Sequence, residues 1–241
     1  MIPVAAMLLA SQHLVRLGTK TPVLTFHDVI PHRTQKSLWF DCSVSEFTSI
    51  LNRLAERRAR FVSVEDLYLH LTKGTPLPPR AVAITFADNY LGFYRYALPI
   101  LRARKIPTVM FVHTGFVGSQ VGRPKMSWAQ LIELDREGLV TLASQTVTHP
   151  EDLRTLSRVT QLKEMADSKA SLQKHLGHPI RFLAYPNGRF NADSLQAAKQ
   201  AGYAMAFSEE QAPAELSSSL FAVNRYVHTK WDRAWKDAYG K

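Results

Sequence analysis

The stretch Ala81-Val82-Ala83-Ile84-Thr85-Phe86-Ala87-Asp88-Asn89-Tyr90 predicts a buried strand that runs into a helix. Its first half is a short apolar run after Pro78-Pro79-Arg80, which is typical of a buried strand. The run ends on the carboxylate of Asp88, and apolar residues at helical spacing follow from Tyr90 to Leu101. In βα-repeat proteins the chemistry lies at the carboxyl ends of the strands, so Asp88 is a candidate site residue. An Asp at such a position is equally typical of a structural helix N-cap.

Strands and helices alternate along the rest of the chain in the same way. Besides the stretch above, the sequence predicts strands at 21–26, 61–64, 106–112, 140–143, 182–185, 204–207 and 221–223. It predicts helices at 44–59, 65–71, 127–134, 160–176 and 192–201. The alternation favours one α/β domain with a parallel sheet, closed or nearly closed as a (β/α) barrel. A doubly wound open sheet is the alternative, and it loses support because no glycine-rich phosphate loop follows any strand.

Composition narrows the class of protein. Of the 241 residues, 46% are apolar and 21% are charged, which is ordinary for a soluble globular protein. No apolar run approaches the ~18 residues of a membrane helix, and the lone Cys42 excludes an internal disulfide and a cysteine zinc cluster. The net charge of +10 favours anionic partners. Nucleic acid is nevertheless disfavoured, because the basic residues are scattered and no nucleic-acid motif is found.

The chain is divided at about residue 20. Residues 1–20 are predicted as an N-terminal helical extension and residues 21–241 as the domain. The apolar segment Met1–Ala10 has no basic residues in front of it, so a packed helix is favoured over the remnant of a signal peptide. The sequence leaves the oligomeric state open.

Polar side chains cluster at the predicted strand ends. They are His27 and Asp28, Asp88, Gln145 and His149, Tyr185 and Asn187, and Arg225 and His228. In a parallel barrel these ends meet on one face. We therefore expect one shared cavity, lined by Asp88, Gln145, His149, His27 and Tyr185. Carboxylate and imidazole ligands suit zinc or a similar divalent ion, although each histidine taken alone is more often structural.

Several of these segments resemble motifs of the polysaccharide deacetylase family, carbohydrate esterase family 4. Residues 85–90, T-F-A-D-N-Y, resemble T-F-D-D-G-Y, and residues 144–150, S-Q-T-V-T-H-P, resemble S-H-T-x-T-H-P. Residues 182–188, F-L-A-Y-P-N-G, resemble F-x-A/R-x-P-x-G. Residues 23–29, V-L-T-F-H-D-V, and 125–128, K-M-S-W, are similar to the biofilm poly-N-acetylglucosamine deacetylases. The resemblance covers almost the whole chain, from residue 22 to residue 228.

The resemblance implies a distorted or incomplete (β/α) barrel that hydrolyses the N-acetyl amide of a sugar polymer with the help of a metal, usually zinc. It implies that Asp88 and His149 bind the metal and that a histidine, His27 or His228, protonates the leaving amine. It also implies a place outside the cytoplasm and an N-acetylated polysaccharide as partner. The remaining implied site residues, which line the site or supply a donor to the oxyanion, are Tyr185, Pro186, Asn187 and Arg225. Asp28 is a further catalytic candidate, because it follows His27 at the end of the first strand.

The chain departs from the family pattern at two places. Ala87 stands where the family has its Asp base, and losing a general base typically costs ~10²–10⁴-fold in rate. Gln145 stands where the family has its first metal-binding histidine, and an amide oxygen is a weaker zinc ligand than imidazole. We therefore expect metal binding to be weak or absent. A laboratory substitution would explain Ala87 alone, but Gln145 favours a naturally degenerate site.

Three functions are considered from the sequence. The first is a glycan-recognising member of the deacetylase fold with little or no hydrolysis. The second is an active metal-dependent deacetylase with a rearranged site, in which Asp28 or His27 replaces the base and water or Gln145 completes the metal shell. The third, a basic nucleic-acid-binding protein, is disfavoured.

Overall fold

Parallel strands form one curled sheet at the centre of the chain. The computed structural model describes residues 19–240. The strands of this region are β1 (Val23–Phe26), β2 (Val29–Ile30), β3 (Cys42–Ser43), β4 (Arg60–Val62), β5 (Ala81–Phe86), β6 (Thr108–Val112), β7 (Val140–Ser144), β8 (Phe182–Ala184), β9 (Met205–Phe207) and β10 (Tyr226–Val227). Eight of them form the central sheet, in the order β10-β1-β5-β6-β7-β8-β9 with β4 also paired to β5. The short strands β2 and β3 pair with each other.

Helices connect the strands. They are α1 (Val44–Glu56), α2 (Val64–Lys73), α3 (Leu98–Arg104), α4 (Trp128–Glu137), α5 (Arg158–Leu176), α6 (Ala192–Gln200) and α7 (Trp231–Tyr239). The side chains of Ser43, Ser63 and Ser127 accept hydrogen bonds from the first turns of α1, α2 and α4 as capping boxes. Gly74 and Gly177 end α2 and α5 in the left-handed conformation, which glycine adopts without a Cβ penalty. Local sequence signals therefore set several of the helix limits.

The strand order confirms the predicted incomplete barrel. From β5 to β9 the order in space follows the order in the chain, and β10 returns to lie beside β1. In a doubly wound sheet, the order of the strands would instead reverse near the middle of the sheet. An isolated parallel bridge between Phe207 and Val223 spans part of the gap between β9 and β10. All pairings of the central sheet are parallel, so the carboxyl ends of its strands share one face.

The core beneath that face fixes the position of β5. All six residues of β5 are buried. The ring of Phe86 stacks on Phe26 at 5.3 Å between centroids and meets Phe93 at 4.7 Å. A fully buried phenylalanine contributes about 1.5–3 kcal/mol relative to an exposed one. This packing holds the end of β5, and with it Asp88, in a fixed place.

Two of the predicted strands differ from the structure. The strand predicted at 61–64 ends at Val62, because Ser63 caps α2 and Val64 begins it. The strand predicted at 221–223 is wrong, since the last strand lies at Tyr226–Val227. The predicted helical extension at 1–20 lies outside the described residues except for 19 and 20, which are not helical. Within the described part of the chain, no helix is long and apolar enough to cross a membrane.

Candidate active site

The backbone at the end of β5 takes an uncommon shape. Ala87 is buried and donates its N–H to the carbonyl of Phe26 at 2.9 Å, which continues the sheet by one residue. Asp88 and Asn89 then adopt positive φ values of 71° and 39°. Residues other than glycine rarely occupy this left-handed region, and such strain concentrates at functional sites. The turn gives the N–H and the carbonyl of Asp88 separate partners on neighbouring segments.

Two basic side chains hold the carbonyl of Asp88. Nε2 of His113 and Nζ of Lys125 each lie 2.9 Å from this oxygen. A carbonyl can only accept, so Nε2 of His113 carries the proton, and burial lowers the pKa of His113 to about 3. Lys125 is 9% exposed, and its Nζ also lies 3.3 Å from the ring centroid of Tyr90. Burial lowers the pKa of Lys125 to about 8.

Gln145, directly after β7, holds the N–H of Asp88. The side-chain Oε1 of Gln145 accepts this N–H at 2.8 Å. The backbone N–H of Gln145 donates to the carbonyl of Val112 at 2.8 Å. An N–H can only donate, so the contact fixes the orientation of the amide. Nε2 of Gln145 therefore faces Nε2 of His149, at 3.3 Å. The same Nε2 of His149 lies 3.4 Å from Oδ1 of Asp88. The structure thus brings Asp88, Gln145 and His149 together.

These side chains open into a cavity of about 390 Å³, called the Asp88 cavity below. The predicted residues that line it are His27, Asp88, Gln145, His149 and Asn187. The sequence analysis did not assign the other lining residues, which are Trp39, Phe40, Tyr90, Arg189 and Glu209. The first two of these are aromatic and come from the segment between β2 and β3, and Trp39 is 65% exposed. One wall of the cavity is therefore apolar and the floor is polar.

A second carboxylate, that of Glu209, lies in the same cavity. Its Oε1 is 3.9 Å from Nε2 of His27 and 3.6 Å from Nη2 of Arg225. Arg225 is fully buried, and its Nε donates to the carbonyl of Ser208 at 2.9 Å. Gly188 has φ +65°, and a Cβ there would lie 2.6 Å from Cβ of Glu209. Glycine at 188 is thus what lets the 186–188 turn approach Glu209.

Some predicted site residues do not reach the Asp88 cavity. The expectation that Tyr185 lines it is wrong, because this ring is fully buried and its hydroxyl donates to the carbonyl of Phe221 at 2.8 Å. Pro186 is also buried. His228 stacks on Phe26 at 5.2 Å between centroids and borders a separate groove beside α1. Burial lowers the pKa of His228 to about 4.

Asp28 is held away from the lining by an arginine. Nη1 of Arg123 donates to Oδ2 of Asp28 at 3.0 Å, and the same guanidinium pairs with the buried Asp41. A Cβ at Gly92 would lie 2.1 Å from Oδ1 of Asp28, so the carboxylate fills the space that this glycine leaves. Burial raises the pKa of Asp28 to about 6, against the effect of Arg123.

Two site residues that were not predicted also stand at strand ends. His113 comes directly after β6, and Glu209 follows β9 after one residue, so both stand at strand ends like the predicted residues. Lys125 and Trp39 lie instead in long loops, where no periodicity places a side chain. Lys125 reaches the Asp88 turn from the loop between β6 and α4.

The residues present do not form the zinc site that the family resemblance implies. Among residues 19–240, no three histidine, cysteine or acidic side chains gather where they could hold an ion. Asp88 and His149 supply two donors, whereas catalytic zinc usually has three protein ligands. The third position is filled by Gln145, whose oxygen is taken by Asp88 N–H and whose NH₂ group faces His149. An amide NH₂ has hydrogens and no free lone pair to offer a cation.

The sequence and the fold of this chain are similar to those of known proteins. The family profile described as polysaccharide deacetylase matches residues 74–206. Poly-beta-1,6-N-acetyl-D-glucosamine N-deacetylase of Staphylococcus aureus (strain MSSA476) is 31% identical over 201 residues, which cover 78% of this chain and 68% of that protein. The structure of IcaB from Ammonifex degensii has a TM-score of 0.79 at 28% identity, covering 92% of this chain and 97% of that one. Streptococcus pyogenes deacetylase PplD, in complex with acetate, has a TM-score of 0.78 at 26% identity, covering 87% of this chain and 92% of that one.

Proposed function

The chain belongs to the polysaccharide deacetylase family, and on that premise we propose that it binds N-acetylated glycans in the Asp88 cavity and hydrolyses them weakly or not at all. Polymers of N-acetylglucosamine are the proposed ligands, since a relative that acts on poly-beta-1,6-N-acetyl-D-glucosamine is 31% identical. A place outside the cytoplasm is proposed on the same ground. The family is generally metal-dependent. What this chain retains of that chemistry therefore depends on its own side chains.

The orientation of Gln145 is the observation that carries the proposal of weak or absent hydrolysis. Its NH₂ group occupies the place of a metal ligand, and its oxygen is already bonded to Asp88 N–H at 2.8 Å. At the position of the base, Ala87 offers a methyl group that is fully buried. Loss of a general base alone typically costs ~10²–10⁴-fold in rate. Both changes act against activation of a water molecule.

The shape and lining of the Asp88 cavity support glycan binding. Its volume of about 390 Å³ is within the ~300–1,000 Å³ of small-molecule sites. Trp39, Phe40 and Tyr90 form an aromatic wall, with 6.3 Å between the stacked rings of Phe40 and Tyr90. Such rings offer flat apolar surface to the C–H face of a sugar, while Asn187 and Arg189 offer hydrogen bonds to its hydroxyls. An apolar wall with a few polar groups is typical of a ligand site.

A rearranged active deacetylase is the second candidate, and one contact favours it. His27 lines the Asp88 cavity, and its Nε2 lies 3.9 Å from Oε1 of Glu209. This separation is longer than a hydrogen bond, so Glu209 attracts the imidazole without fixing its orientation, and His27 is the candidate general base of such an enzyme. Asp28 is less suited to that role, because its carboxylate is engaged by Arg123 and does not line the cavity.

Calorimetric titration with β-1,6-linked N-acetylglucosamine oligomers tests the proposal. We expect the native chain to bind the oligomers with the same affinity in chelator and in zinc, and to hold no stoichiometric metal after dialysis against chelator. Trp39→Ala is the matched site variant, and Val159→Ala, at an exposed position on α5, is the control. Absence of binding to any oligomer refutes glycan binding. Tightly held zinc together with release of acetate supports the rearranged deacetylase instead.

A further inference from the structure

Two rings of the aromatic wall stand on a single turn. Trp39 and Phe40 are the central residues of this turn, which belongs to residues 31–41 between β2 and β3. The N–H of Asp41 donates to the carbonyl of Leu38 at 3.1 Å. Oδ2 of Asp41 in turn accepts the N–H of Leu38 at 2.6 Å. The position of the Asp41 carboxylate therefore fixes the backbone on both sides of the two rings.

Arg123 holds the carboxylate of Asp41. This arginine belongs to another part of the chain, the loop between β6 and α4. Its Nη2 donates to Oδ2 of Asp41 at 2.7 Å and its Nη1 donates to Oδ1, which is the bidentate geometry of arginine with a carboxylate. Arg33 contacts the backbone carbonyls of Leu38 and Asp41 instead. Asp41 is fully buried, so its charge depends on the ion pair with Arg123.

The same guanidinium also contacts other elements of the Asp88 cavity. Its Nη1 donates to Oδ2 of Asp28 at 3.0 Å, and Asp28 follows His27, which lines the cavity. Cζ of Arg123 lies 5.5 Å from the ring centroid of Phe40 and 6.0 Å from that of Tyr90. Arg123 itself does not line the cavity. It can therefore act on an uncharged glycan only through the residues that it holds.

We propose that Arg123 is a positioning residue for glycan binding, and that it sets the affinity of the Asp88 cavity by holding Trp39 and Phe40 in the wall. The inference rests on the proposed function, glycan binding in this cavity, and requires neither a metal nor hydrolysis. Without Arg123, the carboxylate of Asp41 is a buried charge that has lost its partner, which favours movement of the turn toward water. A glycan must then order the turn as it binds, and ordering a loop on binding lowers the affinity.

Calorimetric titration with a β-1,6-linked N-acetylglucosamine pentamer, in chelator, measures this effect. We expect Arg123→Met to weaken binding about tenfold, which corresponds to ~1.4 kcal/mol. Trp39→Ala should weaken binding by a similar factor. Because Arg123 acts through the turn that carries Trp39, the variant with both substitutions should bind about as weakly as either single variant. Two independent effects would instead multiply to about a hundredfold loss.

Fluorescence of Trp39 tests the position of the turn without a glycan. Acrylamide quenching of Trp39 is obtained as the difference between each chain and the same chain carrying Trp39→Phe. We expect this quenching to increase in Arg123→Met, because the Trp39 ring loses its fixed place 5.7 Å from the ring of Phe40. Arg123→Lys keeps the positive charge but not the bidentate contact, so its quenching and affinity should lie between those of the native chain and Arg123→Met.

Arg181→Met is the matched control. Arg181 likewise pairs with a carboxylate, that of Glu65, and lies over two rings, 4.6 Å from Tyr68 and 5.3 Å from Phe182. None of these residues lines the Asp88 cavity. Arg181→Met should therefore keep the native affinity for the pentamer and the native quenching of Trp39.

The outcomes separate this inference from the proposed function. A folded Arg123→Met that keeps the native affinity, or the native quenching of Trp39, overturns the inference and leaves the proposed function standing. A hundredfold loss in the double variant also overturns it. If Arg123→Met does not fold, as judged by its thermal transition, Arg123→Lys decides the matter. Failure of the native chain to bind the pentamer refutes the proposed function, whereas the quenching still shows whether Arg123 holds the turn.

Discussion

The variant Gln145→His tests whether the amide of Gln145 prevents the site from binding a metal. Gln145 is 3% exposed, and its Oε1 is the acceptor of the buried Asp88 N–H at 2.8 Å. An imidazole that points toward His149 cannot also accept this N–H. A buried donor without a partner costs about 1–3 kcal/mol, so the metal-free variant should be less stable than the native chain by that amount. For a domain of this size, the midpoint of thermal unfolding falls by roughly 2–4 °C for each kcal/mol.

Zinc should restore the stability that Gln145→His loses, and it should not stabilise the native chain. The new imidazole joins Asp88 and His149 as a third ligand, the usual number in catalytic zinc sites. At a free zinc concentration of 100 times the dissociation constant, binding stabilises the folded state by about 2.7 kcal/mol. This gain is similar to the expected loss, so zinc should return the midpoint to near the native value. The native chain should gain nothing comparable.

Differential scanning calorimetry in chelator and in zinc measures both effects. Gln200→His, which adds a histidine at an exposed position near the end of α6, is the control for non-specific zinc binding. It should leave the midpoint unchanged in either condition. The reasoning is refuted if zinc stabilises the native chain as much as Gln145→His, or if the variant in zinc stays as unstable as it is in chelator.

Three further predictions concern the surroundings of the site. Burial raises the pKa of Asp28 from 3.8 to about 6, so the folded chain favours the protonated carboxyl. The stabilisation from this group is fully present below pH 3.8 and is lost as the pH rises through 6. Between pH 4 and pH 8, the free energy of unfolding of Asp28→Asn should therefore rise relative to that of the native chain by up to about 3 kcal/mol, as measured by urea unfolding. A difference between the two chains that does not depend on pH contradicts this. Lys125→Met removes one donor from the Asp88 carbonyl and the contact with the Tyr90 ring, so it should cost about 1–3 kcal/mol in the same assay. The exposed Lys163→Met should cost almost nothing, and equal losses in the two lysine variants would refute the assignment. Trp39→Ala should weaken glycan binding about tenfold without lowering the thermal midpoint, since Trp39 is 65% exposed, and unchanged affinity would remove this ring from the site.

The sequence was sufficient to predict that Asp88 and His149 come together. Both follow apolar strands, and the carboxyl ends of parallel strands meet on one face. The same logic applies to His113 and Glu209, which stand at the ends of β6 and β9 and were not assigned. These two residues could have been found without the structure.

Other features depend on contacts that no sequence pattern encodes. A place at a strand end does not determine which side of the sheet a side chain takes, so Tyr185 was expected in the cavity although its ring is buried in the core. The orientation of the Gln145 amide follows from the positive φ of Asp88, which turns this N–H toward it. The position of Trp39 depends on a loop held by the Arg123–Asp41 ion pair, which joins segments 82 residues apart. These are tertiary effects, and they determine what the site can bind.

Release of acetate from N-acetylglucosamine oligomers, measured in zinc with enzyme-free and chelator controls, tests the central claim most directly. The account predicts no release above background from the native chain, because Ala87 supplies no base and Gln145 no ligand. It predicts measurable release from the double variant Ala87→Asp with Gln145→His, and little from either single variant, since one lacks the base and the other a well-held metal. Release by the native chain at a rate similar to that of the double variant, and abolished by chelator, would contradict the account.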